Sequence, residues 1–425
     1  MMCPVRYNTR RAGMCRRTAV GRLAVLTLVT VSALYSAELR LRSKEQPRAS
    51  WSAFGGSVAA TSGFLFVAAN SDTSGKGGAG TVHLFERRDS AWVHAGTLSV
   101  PEATVEDDFG ISMAADGAIL AVGAQYADVH GENSGVVYVF ERRRNTWHQA
   151  AVLSPGDATP GDEFGLTVSV SGDTIAVGAR LEDSHGRDAG ATYLYQRRGR
   201  NWQQVAKLTA SDAAAGDLFG RVSLDNRMMV VSADLNDDRG NAAGKAYAFE
   251  KRGGKWTEVA RFHADDAAPG DEFGFSLVLR GGNAVFGVVG ADSHGRNSGA
   301  AYVFERQHRQ WVQTARLTAS DGATRQLFGF SVSALADLLV VGAPGDRNAT
   351  GAAYVFERRA GAWTQTRKLG ASDAAPLRRF GNSVAATDDT IVVGALTDAG
   401  THAGGAYVFE RRDGSWSEVA RLVRP

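Results

Sequence analysis

One feature limits the folds open to this chain more than any other: a Phe-Gly pair opens seven successive stretches, 52 to 55 residues apart, with Phe286-Gly287 the one such pair outside the register. The pairs are Phe54-Gly55, Phe109-Gly110, Phe164-Gly165, Phe219-Gly220, Phe273-Gly274, Phe328-Gly329 and Phe380-Gly381. A tryptophan follows each at a similar phase, at Trp92, Trp147, Trp202, Trp256, Trp311, Trp363 and Trp416, while Trp51 lies outside the register. Two independent markers therefore count the same seven units. Repetition at a fixed period is the signature of an array in which each unit buries its apolar faces against its neighbours.

Each unit reads as four short strands. In the third they are 164–171, 174–179, 191–196 and 202–208. Turn residues separate every run and no helical period is sustained, so the chain is expected to be all-β. Second strands such as Leu338–Ala343 and Thr390–Ala395 are almost continuously apolar, which fits burial on both faces. Third strands alternate, as in Ala301–Arg306, and are expected to lead out to solvent. The fourth follows a hairpin with turn chemistry, such as Arg252-Gly-Gly-Lys255. The first and last units keep the apolar pattern instead of becoming polar caps, which favours a closed ring over a solenoid. The expectation is one domain over residues 54–425: a seven-bladed β-propeller of four-stranded antiparallel blades, beginning near 54, 109, 164, 219, 273, 328 and 380. The last unit owns a Trp416 strand, so closure requires no borrowed strand; residues 38–53 have room for an added edge strand.

Charge is uneven along the chain. Residues 1–37 hold Arg6, Arg10, Arg11, Arg16, Arg17 and Arg22 and no acid, leaving 41 basic against 45 acidic groups in the remainder. A domain with that balance lacks the basic footprint of a nucleic-acid binder. The Glu-Arg-Arg runs, such as Glu86-Arg87-Arg88 and Glu410-Arg411-Arg412, read as solvated hairpin ends. The arginines precede an apolar run, Leu23–Leu34, and the small residues Ala33 and Ala37. That order predicts a signal peptide cut after either alanine, or a signal-anchor, with the rest secreted or at the cell surface. Membrane contact is expected only through this segment. Cys3 and Cys15, the only cysteines, precede the predicted cut, so no thiol chemistry is expected of the mature chain.

The Phe-Gly opening, the run Val341-Gly-Ala-Pro344 and the strand Ala301-Tyr-Val-Phe-Glu305 resemble FG-GAP repeats. Such repeats build the propellers of integrin α-chains and of many exported microbial proteins, and the resemblance covers about residues 50–425. It implies a propeller that binds its ligands on one face. The family often carries calcium in Asp-x-Asp-x-Asp-Gly loops between the first and second strands. The equivalent stretches here, 115–118, 171–174, 280–283 and 386–389, lack three carboxylates in that spacing, so the role is not carried over to them. The sequence contains no Arg-Gly-Asp, which argues against an integrin subunit.

Antiparallel topology puts the connections between blades and the 2–3 loops at one end, and the 1–2 and 3–4 hairpins at the other. The connections read Asp107-Asp108, Asp162-Glu163, Asp217 and Asp271-Glu272 before Phe-Gly, then Gln326 and Arg378-Arg379. They form an acidic arc or, as the recurrence favours, a set of turn caps. The 2–3 loops carry Asp128/His130, Asp183/His185 and Asp292/His294. Two ligands per loop fall short of a zinc set, so turn chemistry is expected. In the fourth unit Asp234, Asn236 and Asp238 place oxygens at alternate positions, the one candidate for calcium, although Gly240 is one place late and no bidentate Glu follows. His263, His402 and Tyr126 depart from the template, and Asn348-Ala-Thr350 is a glycosylation sequon. No nucleophile converges with a base, so catalysis is not expected. The reading is an exported, monomeric binding or adhesion module for an extracellular protein or glycan. Its first contacts would be Asp128, Asp183, Asp237 and Asp292. The alternative is a polysaccharide lyase or hydrolase using the same face.

Overall fold

The computed structural model describes residues 53–70, 79–104, 106–396 and 404–425. The expected signal segment and all but the last residue of the 38–53 segment lie outside them, as does His402. The described residues form seven four-stranded antiparallel sheets, each built from four strands consecutive in sequence. The blades run Phe54–Leu98, Met113–Leu153, Thr167–Leu208, Phe219–Phe262, Phe273–Leu317, Ser331–Leu369 and Phe380–Leu422. First strands of neighbouring blades pack together, and the first strand of blade 1 packs against that of blade 7. The first strands therefore surround the axis and the fourth strands face outward. The ring closes blade against blade, with no strand exchanged among the described residues.

The repeat markers earn their positions in the packing between blades. All seven phenylalanines of the Phe-Gly pairs are fully buried. In blades 2, 3, 4, 6 and 7 the ring meets the third-strand tyrosine 5.4–5.6 Å away; in blade 1 His83 takes that place at 5.3 Å. Gly178, in the second strand of blade 3, lies against blade 4 so closely that a Cβ there would overlap the Gly220 carbonyl oxygen. Gly123, Gly287, Gly342 and Gly394 repeat that contact with Gly165, Gly329, Gly381 and Gly55. A hydroxyl beside each contact donates to the same carbonyl, as Thr167 does to Gly220 at 2.6 Å and Ser383 to Gly55 at 2.9 Å. Seen this way, Val-Gly-Ala and Phe-Gly are two halves of one seam.

Third strands differ from expectation. Their first five residues are buried, as in Ala191–Tyr195, and in blades 2, 6 and 7 the glutamate is buried too, so the strands emerge only at their last two or three residues. The cause is the stacking of blades, which covers both faces of every sheet except at its rim. Each pairing of third and fourth strands carries one bulge at the same register, between Leu84 and Phe85 in blade 1. Bulges on outermost strands twist the exposed edge and discourage pairing with other chains.

The Glu-Arg-Arg runs are more than solvated ends. The first arginine of each run reaches back to the glutamate of the preceding blade. The pairs are Arg142 with Glu86 (3.9 Å), Arg197 with Glu141 (3.4 Å), Arg306 with Glu250 (2.9 Å), Arg358 with Glu305 (2.9 Å) and Arg411 with Glu357 (3.1 Å). Arg87 with Glu410, 3.2 Å apart, closes the circle. Between blades 3 and 4 the link is neutral: Lys251 Nζ donates to Gln196 Oε1 at 2.9 Å. The belt exists because the template places an acid and a base two strands' width apart on adjacent blades.

Candidate functional site

At the opposite end, the sequence singled out the aspartates of the connections and of the 2–3 loops. Both sets turn out to hold backbone. Asp107, Asp162, Asp217 and Asp271 accept from the N–H three residues earlier, at Thr104 (3.0 Å), Thr159 (2.8 Å), Ala214 (3.0 Å) and Ala268 (2.8 Å). Gln326 repeats the pattern from Ala323 at 3.3 Å. Burial raises the pKa of Asp162 and Asp217, and pushes Asp271 up to about 6, because water no longer supports their charge. These are caps.

Asp128, Asp183, Asp237 and Asp292 are exposed, but each closes its own loop. Their Oδ1 atoms accept the backbone N–H five residues on, from Asn133 (2.8 Å), Asp188 (2.7 Å), Ala242 (2.7 Å) and Asn297 (2.7 Å). The calcium candidates part ways. Asp234 is fully buried against Arg221 Nε at 3.3 Å, while Asn236 donates to Asp217 at 3.1 Å and Asp238 pairs with Lys245. Their side chains go to three different partners, two of them cations, so the set does not suit a calcium ion. The 1–2 hairpins fit calcium no better: Asp116 accepts from Gly172 N at 2.7 Å, and Asp173 and Asp389 pair with Arg197 and Arg87. No cluster of three or more His, Cys, Asp or Glu side chains suited to a metal occurs among the described residues. The loop histidines are scattered likewise, with His130 on Ser154 at 2.7 Å and His263 on Arg239 at 2.9 Å. Tyr126 is half-buried, its N–H donating to Asp107 O at 3.3 Å.

What the structure does bring together is the loops themselves. The 2–3 loops of blades 2 to 6 are each tied to the next connection by a backbone hydrogen bond. Gly161 N–H donates to Glu132 O (2.9 Å), Gly216 to Arg187 O (2.9 Å) and Gly270 to Asn241 O (2.8 Å). Arg325 donates to Arg296 O (2.7 Å), and Leu377 to Asn348 O (3.3 Å). All five donors hold left-handed backbone, with φ of 92°, 88°, 83°, 60° and 64°. Glycine is the residue that takes this conformation without penalty. A Cβ at Gly161, Gly216 or Gly270 would meet nothing within 4 Å, so a side chain in this slot stands in open space. Blades 6 and 7 put Arg325 and Leu377 there, both exposed. Nearby, the 2–3 loop of blade 6 is shortened to a turn with Arg347, Asn348 and Ala349 all left-handed. The signal for this sector was in the sequence, in the replacement of a recurring glycine by Arg325 and Leu377.

A family model for the FG-GAP repeat matches six segments: residues 92–140, 147–195, 202–249, 256–304, 311–356 and 363–409. The chain belongs to the FG-GAP repeat family. Each FG-GAP unit matched opens on the tryptophan of a fourth strand and runs into the third strand of the following blade. It therefore spans one junction between blades, and seven blades in a row contain six such junctions. Among solved structures, the chain is similar to a putative 6-phosphogluconolactonase from Bacteroides fragilis, at 11% identity and TM-score 0.53, covering 85% of this chain and 95% of that one. It is also similar to a hypothetical selenium-binding protein from Sulfolobus tokodaii, at 10% identity and TM-score 0.52, covering 80% of this chain and 86% of that one. At such identities the likeness is one of fold. No curated protein matches the chain in sequence. No helix among the described residues is long and apolar enough to cross a membrane.

Proposed function

We propose that this FG-GAP propeller is an exported binding module that holds an extracellular protein or glycan on the end carrying the connections and the 2–3 loops. The observation supporting this reading is the backbone stitching of those loops, which joins five consecutive blade junctions into one surface. Loops fixed on a rigid scaffold bind without a large ordering cost. At the other end the 3–4 hairpins are two-residue turns such as Arg144-Asn145 and His308-Arg309, and successive 1–2 hairpins are linked through side chains, as by Asp116 accepting from Gly172 N–H at 2.7 Å. The aspartates first expected to touch the ligand serve the surface indirectly, by holding its loops in shape.

The test uses the full chain, immobilised and exposed to arrays of cell-surface proteins and glycans. Two sets of substitutions then probe any ligand found. One alters Glu132, Arg187 and Arg296 in the 2–3 loops; the other alters Arg144, Arg200 and Arg309 in the hairpins. The reading requires at least tenfold weaker binding from the first set alone. Loss through the hairpin set would place the ligand at the wrong end. Conversion of an arrayed polysaccharide to new unsaturated or reducing ends would replace binding with catalysis.

A further inference from the structure

We infer that the ligand is an anionic polysaccharide, and that its carboxylate or sulfate groups dock on Arg296, Arg325 and Arg347 where blades 5, 6 and 7 meet. The inference rests on the binding reading above and names the ligand class for that same surface.

The three arginines are exposed and sit on backbone that is mutually fixed. Arg325 N–H bonds Arg296 O at 2.7 Å, and the Arg325 carbonyl lies against Gly345, two residues before Arg347. Arg296 and Arg325 form no ion pair among the described residues, and Arg347 stands 3.9 Å from Asp346. The acids around them are already committed. Asp321 and Asp346 both bind Lys368, at 2.6 and 2.8 Å, and Asp373 binds Arg378 and Arg421, at 3.2 and 3.0 Å. Asp292, in the loop of Arg296, accepts from Asn297 N–H.

Two further facts shape the ligand. Arg325 occupies a left-handed slot that blades 3, 4 and 5 fill with glycine, so presenting a guanidinium there strains the backbone. Left-handed arginines occur at the hairpin end too, at Arg144 and Arg309, so what singles Arg325 out is its departure from the glycine template at an exposed slot. Second, the large exposed apolar side chains at this end, among the described residues, are few: Val129 in the 2–3 loop of blade 2, Leu377 before blade 7 and Val423 after its last strand. A protein partner needs an apolar patch at the interface centre, and bases of single-stranded nucleic acid need exposed aromatic rings. Neither is offered. Guanidinium forks matched to repeated carboxylates or sulfates need no such patch.

The experiment measures binding of the full chain to polygalacturonate and heparin, with dextran as the neutral control, across a salt series. The expected result is binding to one or both polyanions, none to dextran, and a weakening by ~10-fold per arginine removed, as befits a charge-assisted hydrogen bond. Arg325→Gly is the informative variant, because it restores the template glycine and keeps the fold. It should lower affinity while leaving the melting temperature unchanged or raised. Arg296→Ala and Arg347→Ala should add to the loss, while Arg144→Ala, Arg200→Ala and Arg309→Ala at the hairpin end should do nothing. Equal binding to dextran, polyanion binding indifferent to the three arginines, or equally tight and arginine-dependent binding of a DNA oligonucleotide would each overturn the inference. If neither polyanion binds but a neutral glycan or a protein does, through the 2–3 loops, this inference fails and the binding reading stands. If no ligand binds that end at all, both fail.

Discussion

The two ends of the ring obey the same repeat and use it differently. At the hairpin end, the Glu-Arg pairing continues around the circle, from Arg142 and Glu86 to Arg87 and Glu410, with one neutral substitution at Gln196. At the loop end, the template holds for the glycine slots of Gly161, Gly216 and Gly270 and then breaks at Arg325 and Leu377. One end is regular because regularity closes a ring. The other loses its recurring glycine in one sector, where the exposed Arg325 and Leu377 stand in its place. The difference can be attacked at four points.

The largest effect belongs to what both ends share. Gly178→Val pushes a side chain into the Gly220 carbonyl on the neighbouring blade, where both sides of the contact are backbone. The two blades must separate or the strand must shift. Overpacking of this kind costs roughly 1–3 kcal/mol, and backbone that cannot yield takes it to about 4 kcal/mol or more. Urea unfolding of Gly178→Val should show that loss. A midpoint within error of the parent would mean the seam is looser than described.

The second test concerns a cap at the loop end. Burial raises the pKa of Asp271 to about 6, above the usual unfolded value near 3.9. The folded state therefore holds its proton more tightly, and stability contributed through this group is lost as pH rises from about 4 to 6. Asp271→Asn keeps an acceptor for Ala268 N–H and removes the charge. Relative to the parent, the variant should gain about 2 kcal/mol between pH 4 and pH 7, on the order of two pKa units. Parallel pH profiles for parent and variant would show that the carboxylate is charged in the fold without penalty.

Arg325→Gly is next in size, with an expected stabilisation of ~1 kcal/mol from relief of the left-handed strain, part of which the freer unfolded chain takes back. Thermal unfolding measures it. A marked destabilisation would mean that the arginine supports the loop end itself, and the contrast between an end that keeps its template and one that departs from it would lose its sharpest member.

How much of this was legible depends on what each residue answers to. Phe164, Gly178 and Tyr193 answer to contacts that recur in most or all blades, so the repeat alone disclosed strand order, blade count and closure. The caps Asp162 and Asp217 were legible for the same reason. Asp234 and Asp238 were harder, because spacing along a loop does not tell which way a carboxylate turns. Asp234 turns to Arg221 and Asp238 to Lys245, two cations that lie elsewhere in the sequence. The belt was missed because a Glu-Arg-Arg run looks alike whether its arginine faces water or the next blade. Arg325 shows in the sequence only as the loss of a recurring glycine; that the slot is left-handed, so that the loss matters, is not written in its side chain.

The smallest effect repairs the belt's one neutral link. Gln196 Oε1 accepts from Lys251 at 2.9 Å, and Gln196→Glu would convert that bond into an ion pair like its neighbours. Partly exposed pairs contribute about 0.2–1 kcal/mol, less in salt, and the lysine stem already occupies its position. The gain should be ~0.3 kcal/mol in low salt and vanish near 1 M, where the screening length shrinks to about 3 Å. It should leave ligand affinity untouched, because the belt and the loops lie at opposite ends of each blade. A change in affinity from Gln196→Glu would show the two ends to be coupled through the blades, and the division of labour between them would no longer hold.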